Sequence, residues 1–311
     1  MWTAERVVAE LRRSGELWEV APGLIGLRGD ALALQHGIES GLRRLARAHG
    51  ADEWLLPPAL PLETLARADY FASFPQWLTV AAHLSDDDAL LEGVAAAADP
   101  VAAVNSAVAA PAAALQPALC YHVYAAHHGR RLDDTVCITC QGTCWRHERE
   151  RLAPLERGWA FTMREVICLG GNHEVAAFLA RQRAAAVALA VRLGLEPEIE
   201  PASDPFFAPT ARGRALLQRV RGLKDELLLP VGGGGMTAAA SFNNHDRFFG
   251  DAFDISCADT TPAVSGCAAF GVERWVLALL VAHGPSASAW PDPSAAAAAA
   301  APRATPVHVA C

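Results

Sequence analysis

At 311 residues, 52% of them apolar and 19% charged, the chain can bury a large core as one domain or two small ones. Its formal net charge of −8 lacks the basic surplus through which proteins grip a long nucleic acid, which argues against nucleic acid as a substrate. Eight cysteines without a secretory leader indicate reduced thiols or metal ligands, and no apolar run reaches membrane-spanning length, so the expected compartment is the cytoplasm.

In chain order, residues 4–14 read as an amphipathic helix, followed by a hairpin around Pro22-Gly23 and Gly29. Asp30 is placed to cap a helix running to about His49, with Leu32, Ile38, Leu42 and Leu45 at helical spacing and Gly50 as its stop. Glu53-Trp-Leu-Leu-Pro57-Pro58 reads as a strand ended by prolines. The aromatic segment Tyr70-Phe-Ala-Ser-Phe-Pro75-Gln-Trp77 precedes an Ala-rich stretch, residues 84–117, in which one or two helices are expected. Residues 119–148 are expected to supply two strands, since Tyr121, Val123 and Tyr124 favour extended structure, as do residues 136–139.

The centre of the chain is Cys144-Trp-Arg-His-Glu148, a charged loop to Arg157-Gly158, then Trp159-Ala-Phe-Thr-Met-Arg-Glu165. As a hairpin it alternates faces, so Arg146 pairs with Glu148 on one side, and Phe161, Met163 and Glu165 share one side of the returning strand. A face carrying Arg, an aromatic ring and two carboxylates calls for a polar ligand or for water.

Residues 172–195 form the longest expected helix, with Asn172 as N-cap and Gly194 as stop. A linker at residues 197–209, a helix at 211–220 and a strand at 224–230 follow. Gly232 to Gly235 is a flexible turn, because no Gly-Lys-Ser/Thr completes a phosphate loop. Residues 242–255 alternate polar and aromatic side chains on the expected substrate side of the sheet. The last helix runs from near Phe270 to Gly284, and the Ser/Ala/Pro-rich remainder, residues 285–311, is expected to be a mobile tail.

One cysteine grouping is local: Cys137-x2-Cys140-x3-Cys144 with His147 resembles a zinc knuckle. On a straight strand Cys140 and Cys144 stand roughly 13 Å apart, too far for one zinc.

Read together, the residues from Trp145 to Glu165 resemble motif 2 of class II aminoacyl-tRNA synthetases, Gly271-Val-Glu-Arg274 resembles motif 3, and the helix–strand–proline unit before residue 59 resembles motif 1, which in that class forms a dimer interface. Met163-Arg-Glu165, Ser241-Phe-Asn-Asn-His245 and Cys267 ahead of Gly271 narrow the resemblance to the amino acid:[carrier protein] ligases, relatives of the zinc-dependent, archaeal-type seryl-tRNA synthetases. The resemblance covers roughly residues 20–283. It implies an α+β fold, an antiparallel sheet flanked by helices, in a catalytic domain spanning residues 1–284. The implied reaction is ATP-dependent adenylation of a small amino acid, glycine or alanine, and transfer to the phosphopantetheine thiol of a carrier protein. Its rivals are a minimal seryl-type tRNA synthetase, for which about 30 residues ahead of motif 1 leave little room to hold tRNA, and a non-catalytic paralogue.

The resemblance also implies residue roles. Arg146 contacts the α-phosphate and the substrate carboxylate, and Glu148 accepts from the adenine amino group. Phe161 and Arg274 sandwich the adenine, Arg157 and Gly158 reach the outer phosphates and ribose, and Lys224, Ala239, Ala240, Ser241 and Phe242 complete the nucleotide site. Cys120, Glu165 and Cys267 hold Zn²⁺, which binds the substrate amine, and Mg²⁺ accompanies ATP. Arg146, Glu165 and Arg274 are the implied catalytic set, and a homodimer is the implied assembly.

Overall fold

The computed structural model describes residues 2–148, 152–205, 207 and 221–301. Helix α1 (Ala4–Ser14) opens with the Thr3 hydroxyl accepting from the Arg6 N–H and closes on left-handed Gly15. The hairpin β1 (Leu17–Ala21) and β2 (Leu24–Leu27) leads into α2 (Gly29–Ala48). Asp30 lies in the first turn of α2, suiting the helix dipole, while Arg28 occupies the capping position. Strand β3 (Asp52–Trp54) follows.

A small sheet comes next, built from β4 (Ala59–Pro61), β5 (Val80–Ala81) and β6 (Ala113–Leu115) in the order β4-β6-β5. Helices α3 (Leu62–Arg67) and α4 (Tyr70–Ser73) fall between its first two strands. The Ala-rich stretch, expected to hold one or two helices, has two, α5 (Asp88–Ala96) and α6 (Pro100–Ala107), capped by Asp87 and Asp99.

The expectation of a strand near Tyr121 is not met: α7 (Cys120–Ala126) is a helix. The β-preferring side chains are overridden by packing, since Tyr121, Val123 and Tyr124 are all buried and Tyr124 stacks on Phe249 at 4.1 Å. The hairpin is present as β7 (Val136–Trp145) and β8 (Ala160–Gly170), with Cys140 opposite Glu165 and Cys144 opposite Phe161. Arg146 and Glu148 lie just beyond the end of β7 rather than on it. Helix α8 (Asn172–Arg192) begins at Asn172 with Gly171 at the cap, and is followed by β9 (Glu198–Pro201). The expected helix at 211–220 lies outside the described residues.

Strands β10 (Lys224–Gly232) and β11 (Gly235–Asn244) are joined through Gly232, Gly233 and Gly234, all at positive φ, so the glycine run serves as a tight turn. After α9 (Phe248–Ala252), β12 (Val264–Gly271) runs directly into α10 (Val272–His283). The seven strands of the main sheet are ordered β3-β7-β8-β12-β11-β10-β9, and every pairing is antiparallel except β3 with β7.

Strand alternation divides the core. Val166 and Cys168 of β8 and Ala268 and Phe270 of β12 pack with α2, α8 and α10 on one face. Met163 and Ile167, with Cys267, pack with α7 and α9 on the other. The cleft opens on this second face.

The mobile-tail expectation does not hold for residues up to 300. Helix α11 (Pro293–Ala300) is capped by Asp292 and packs on α2, with Ala297 fully buried. The contact exists because α2 presents Gly41, where an added Cβ would meet the Pro293 carbonyl oxygen at 2.9 Å and the Ala297 Cβ at 3.3 Å. Gly41→Val is therefore expected to push α11 off α2 and to cost about 1–3 kcal/mol. A lower urea midpoint together with lost hydrogen-exchange protection at residues 293–300 is the measurement that checks this.

Candidate active site

The cleft has a cysteine–carboxylate end, formed where α7, β8 and β12 meet. The Glu165 Oε2 accepts from the backbone N–H groups of Leu119 and Cys120, each at 3.0 Å. These are N–H groups at the start of α7, which have no partner within their own helix. Cys267 comes from the strand beside Glu165, since Ala269 lies opposite Glu165 and Cys267 opposite Ile167. The Cys120 and Cys267 thiols are within hydrogen-bonding reach of each other and of the Glu165 carboxyl.

All three groups are buried, and burial raises the Glu165 carboxyl above the usual range. The Cys120 thiol is pushed well up, first by the Cys267 hydrogen bond and then by burial. Cys267 also takes Asn243 Nδ2 at 3.4 Å, and His245 Nε2 stands 3.9 Å away. His245, paired through Nδ1 with the Tyr124 hydroxyl at 3.2 Å, is driven down to about 4 by burial and so is neutral near pH 7.

Two thiols and a carboxylate are the donor chemistry of a zinc site. Among the described residues, no group of three His, Cys, Asp or Glu side chains has the spacing of a formed metal centre. In this cluster the three groups hydrogen-bond one another instead. The local knuckle is overturned by strand alternation: Cys137 packs towards the α8 side, donating to Cys168 Sγ at 3.5 Å, whereas Cys140 and Cys144 are buried on the opposite face.

At the other end Arg146 donates from Nε to the Pro117 carbonyl oxygen at 2.9 Å. Its guanidinium lies 5.4 Å from the Trp77 ring centroid and 5.6 Å from that of Phe161. Phe161 thus has Arg146 as a cation partner. Glu148 and Arg157 form an ion pair with each other.

A bulge in β11 places Arg274. Leu227 pairs with Ala240 and Leu228 with Ala238, so Ala239 is an extra residue in the ladder. Two carbonyls at the bulge accept from α10: Ala238 from Arg274 Nη1 at 2.6 Å, Ala239 from Trp275 Nε1 at 3.0 Å. Arg274 also donates to the Glu156 carbonyl, and burial holds its guanidinium below its usual value. Lys224 lies between Asp204 at 2.7 Å and Glu226 at 3.0 Å.

Gly158, Ala239, Ala240 and Ser241 line the same cleft as these charged groups. Phe242, expected among them, does not: it faces the helical side and meets Phe270 edge-on at 6.3 Å. The even position on β11 turns it away from Ser241 and Asn243, which face the cleft. Tyr121, Asp204 and Glu226, to which the sequence gave no site role, also line it, as does His245 of the expected substrate side. Glu226 was readable as the same-face neighbour of Lys224 on one strand.

This fold is that of the class II aminoacyl-tRNA synthetase catalytic domains. M. kandleri SerRS, solved with A. aeolicus tRNASec, superposes with a TM-score of 0.82 at 23% identity, covering 93% of this chain and 59% of that one. The prolyl-tRNA synthetase of Giardia lamblia, solved with prolyl-adenylate, matches with a TM-score of 0.69 at 13% identity, over 90% of this chain and 54% of that one.

In sequence, the chain is 32% identical to amino acid–[acyl-carrier-protein] ligase 1 of Bradyrhizobium diazoefficiens over 265 residues, 83% of this chain and 81% of the relative. Ligase 2 of the same organism is 32% identical over 76% of this chain and 71% of its own length. The chain belongs to the amino acid–[acyl-carrier-protein] ligase family. The type-2 serine–tRNA ligase of Methanopyrus kandleri is 26% identical, and this chain spans about half of its length, 52%. No protein-family model matches the chain.

Because Glu165 satisfies two buried N–H groups, Glu165→Ala is expected to cost on the order of 2–4 kcal/mol by leaving them unpaired. Glu165→Gln, which keeps an oxygen facing Leu119 and Cys120, is expected to retain most of that stability. Urea unfolding of the two variants separates these outcomes.

Proposed function

We propose that the chain activates a small amino acid with ATP and transfers it to the phosphopantetheine thiol of a carrier protein. The observation that carries this reading is that one cleft holds Arg146 at one end and Cys120, Glu165 and Cys267 at the other. A guanidinium suits a carboxylate, and the thiol–carboxylate cluster suits an amine or the cation that binds one. Family membership at 32% identity over most of the chain supports the same chemistry.

In the first step a carboxylate oxygen of the amino acid attacks the α-phosphorus of ATP, and the bond to the β-phosphate breaks, releasing diphosphate. Arg146 neutralises charge on both reacting groups. The adenine fits between Phe161 and Arg274, with Glu148 accepting from its amino group. Arg157, Gly158 and Lys224 meet the phosphates and ribose beside Ala239, Ala240 and Ser241. In the second step the carrier thiol loses its proton and attacks the acyl carbon, and AMP leaves.

Cys120, Glu165 and Cys267 would hold zinc, which would supply Lewis-acid chemistry for the substrate's α-amine. Mg²⁺ accompanies the triphosphate. Tyr121, His245 and Phe249, bulky groups that line the cleft with Cys120 and Cys267, support a small substrate side chain, glycine or alanine.

The acidic balance of the chain supports a carrier protein over tRNA as acceptor. A homodimer through α2 and β3 is supported by the position of β3 at the sheet edge, beside Leu55 at 95% exposure. A cytoplasmic location accords with the described helices, none of which is long and apolar enough to cross a membrane.

ATP–diphosphate exchange is expected to require a small amino acid and to fall by about 10²–10³ with Arg146→Ala. Labelled glycine or alanine is expected on a phosphopantetheinylated carrier, in a bond cleaved by neutral hydroxylamine, with tRNA unlabelled. Exchange independent of any amino acid overturns the reading, and label on tRNA alone makes the chain a tRNA synthetase. Elemental analysis is expected to find about one zinc per protomer and a clear loss with Cys267→Ala. Equal metal in both would place zinc elsewhere.

A further inference from the structure

The aromatic segment from Tyr70 to Trp77, which the family resemblance puts beside the pocket, carries an unused donor. Tyr70, the first residue of α4, is 2% exposed, edge-on to Tyr121 at 5.8 Å and tilted against Phe74 at 5.7 Å. Phe74 in turn stacks on Trp77 at 5.3 Å, and Trp77 carries the Arg146 guanidinium. Tyr70, Phe74 and Trp77 therefore form one wall of the cleft, which faces Arg146 and Cys120.

Within that wall the Tyr70 hydroxyl is buried and has no hydrogen-bond partner among the described residues. Buried polar groups are paired in almost all folded proteins, because an unpaired one bears the full cost of leaving water. A hydroxyl left unpaired in the wall of a ligand cleft is accounted for when the ligand is its partner.

We propose that Tyr70 is a substrate-binding residue whose hydroxyl donates to a carboxylate oxygen of the amino acid, beside Arg146. This rests on the amino-acid-activating reading given above. The position fits that role. Tyr121 directly follows Cys120 at the amine end, and Tyr70 packs on Tyr121 within the electrostatic reach of Arg146 at the carboxylate end.

Among the described residues Arg146 makes only one side-chain hydrogen bond, from Nε to Pro117, so its two Nη atoms and the Tyr70 Oη leave three donors in one cleft for a carboxylate. Burial, partly offset by Arg146, pushes the phenol up to about 12, so it carries its proton at any working pH. In the adenylate, the oxygen not bound to phosphorus is the acyl carbonyl oxygen, and the same donor holds it.

Tyr70→Phe removes the hydroxyl and nothing else. The ligand-free variant is expected to melt at the wild-type temperature or above it, since an unpaired buried group has been deleted. In ATP–diphosphate exchange its kcat/KM for the amino acid is expected to fall about tenfold to a hundredfold, the range for a hydrogen bond to a charged group, with KM for ATP unchanged. The rise in melting temperature that the amino acid gives the wild type is expected to shrink in the variant.

Exchange by Tyr70→Phe equal to wild type overturns the assignment. So does a lower melting temperature of the ligand-free variant, which would show the hydroxyl bonding within the protein. Failure of the wild type to exchange with any amino acid defeats the activating reading itself and is seen before the variant is measured.

Discussion

The Glu165 carboxylate, buried on the cleft face of β8, takes two backbone N–H bonds from the start of α7, and the cleft is assembled around that contact. It holds Cys120 beside Cys267, which arrives independently on β12. The contact is demanding because a buried carboxyl needs partners and helix-start N–H groups need acceptors. Each answers the other's deficit. Removing either leaves polar groups stranded in a region packed with Tyr121, Tyr124 and Phe249.

The neighbouring residue shows the same logic on the opposite face. Arg164 is buried among the helices and is satisfied by Glu39 of α2, by Glu53 of β3 and by Thr139 of β7. Adjacent buried charges of opposite sign thus point in opposite directions, one joining the sheet to α2 and the edge strand, the other organising the site. A register slip of one residue would exchange them and strand both, so these two positions specify the pairing of β7, β8 and β12.

Most cations of the cleft already have partners within the protein. Arg157 is paired with Glu148, Lys224 with Asp204 and Glu226, and Arg274 rests on two backbone carbonyls. Such pairing limits side-chain freedom, so any anion bound there would cost less in side-chain entropy. It also means that a ligand competes with acidic groups for Arg157 and Lys224. Arg146 differs, since aromatic rings and one carbonyl are its neighbours and its Nη atoms are not engaged by a carboxylate among the described residues.

Local periodicity sufficed for α1, the β1–β2 hairpin, α2, α8 and the β7–β8 hairpin, because each carries its own caps, turns or alternation. The polar face of Phe161, Met163 and Glu165 was legible for the same reason: the period of two is a property of the strand alone. What the sequence could not decide lay in contacts between distant segments. Tyr121, Val123 and Tyr124 favour a strand locally, yet burial against Phe249 and the demand of Glu165 for helix-start N–H groups make them helical. The Ala-rich end looked unstructured until Gly41 of α2 gave α11 a surface to pack on. Phe242 turned to the core because strand pairing set its face, and the Ala239 bulge that positions Arg274 is visible only in the ladder between β10 and β11. These outcomes belong to the tertiary structure because free energy from burying side chains and pairing buried polar groups depends on which segments meet, and a single segment carries no record of its partners.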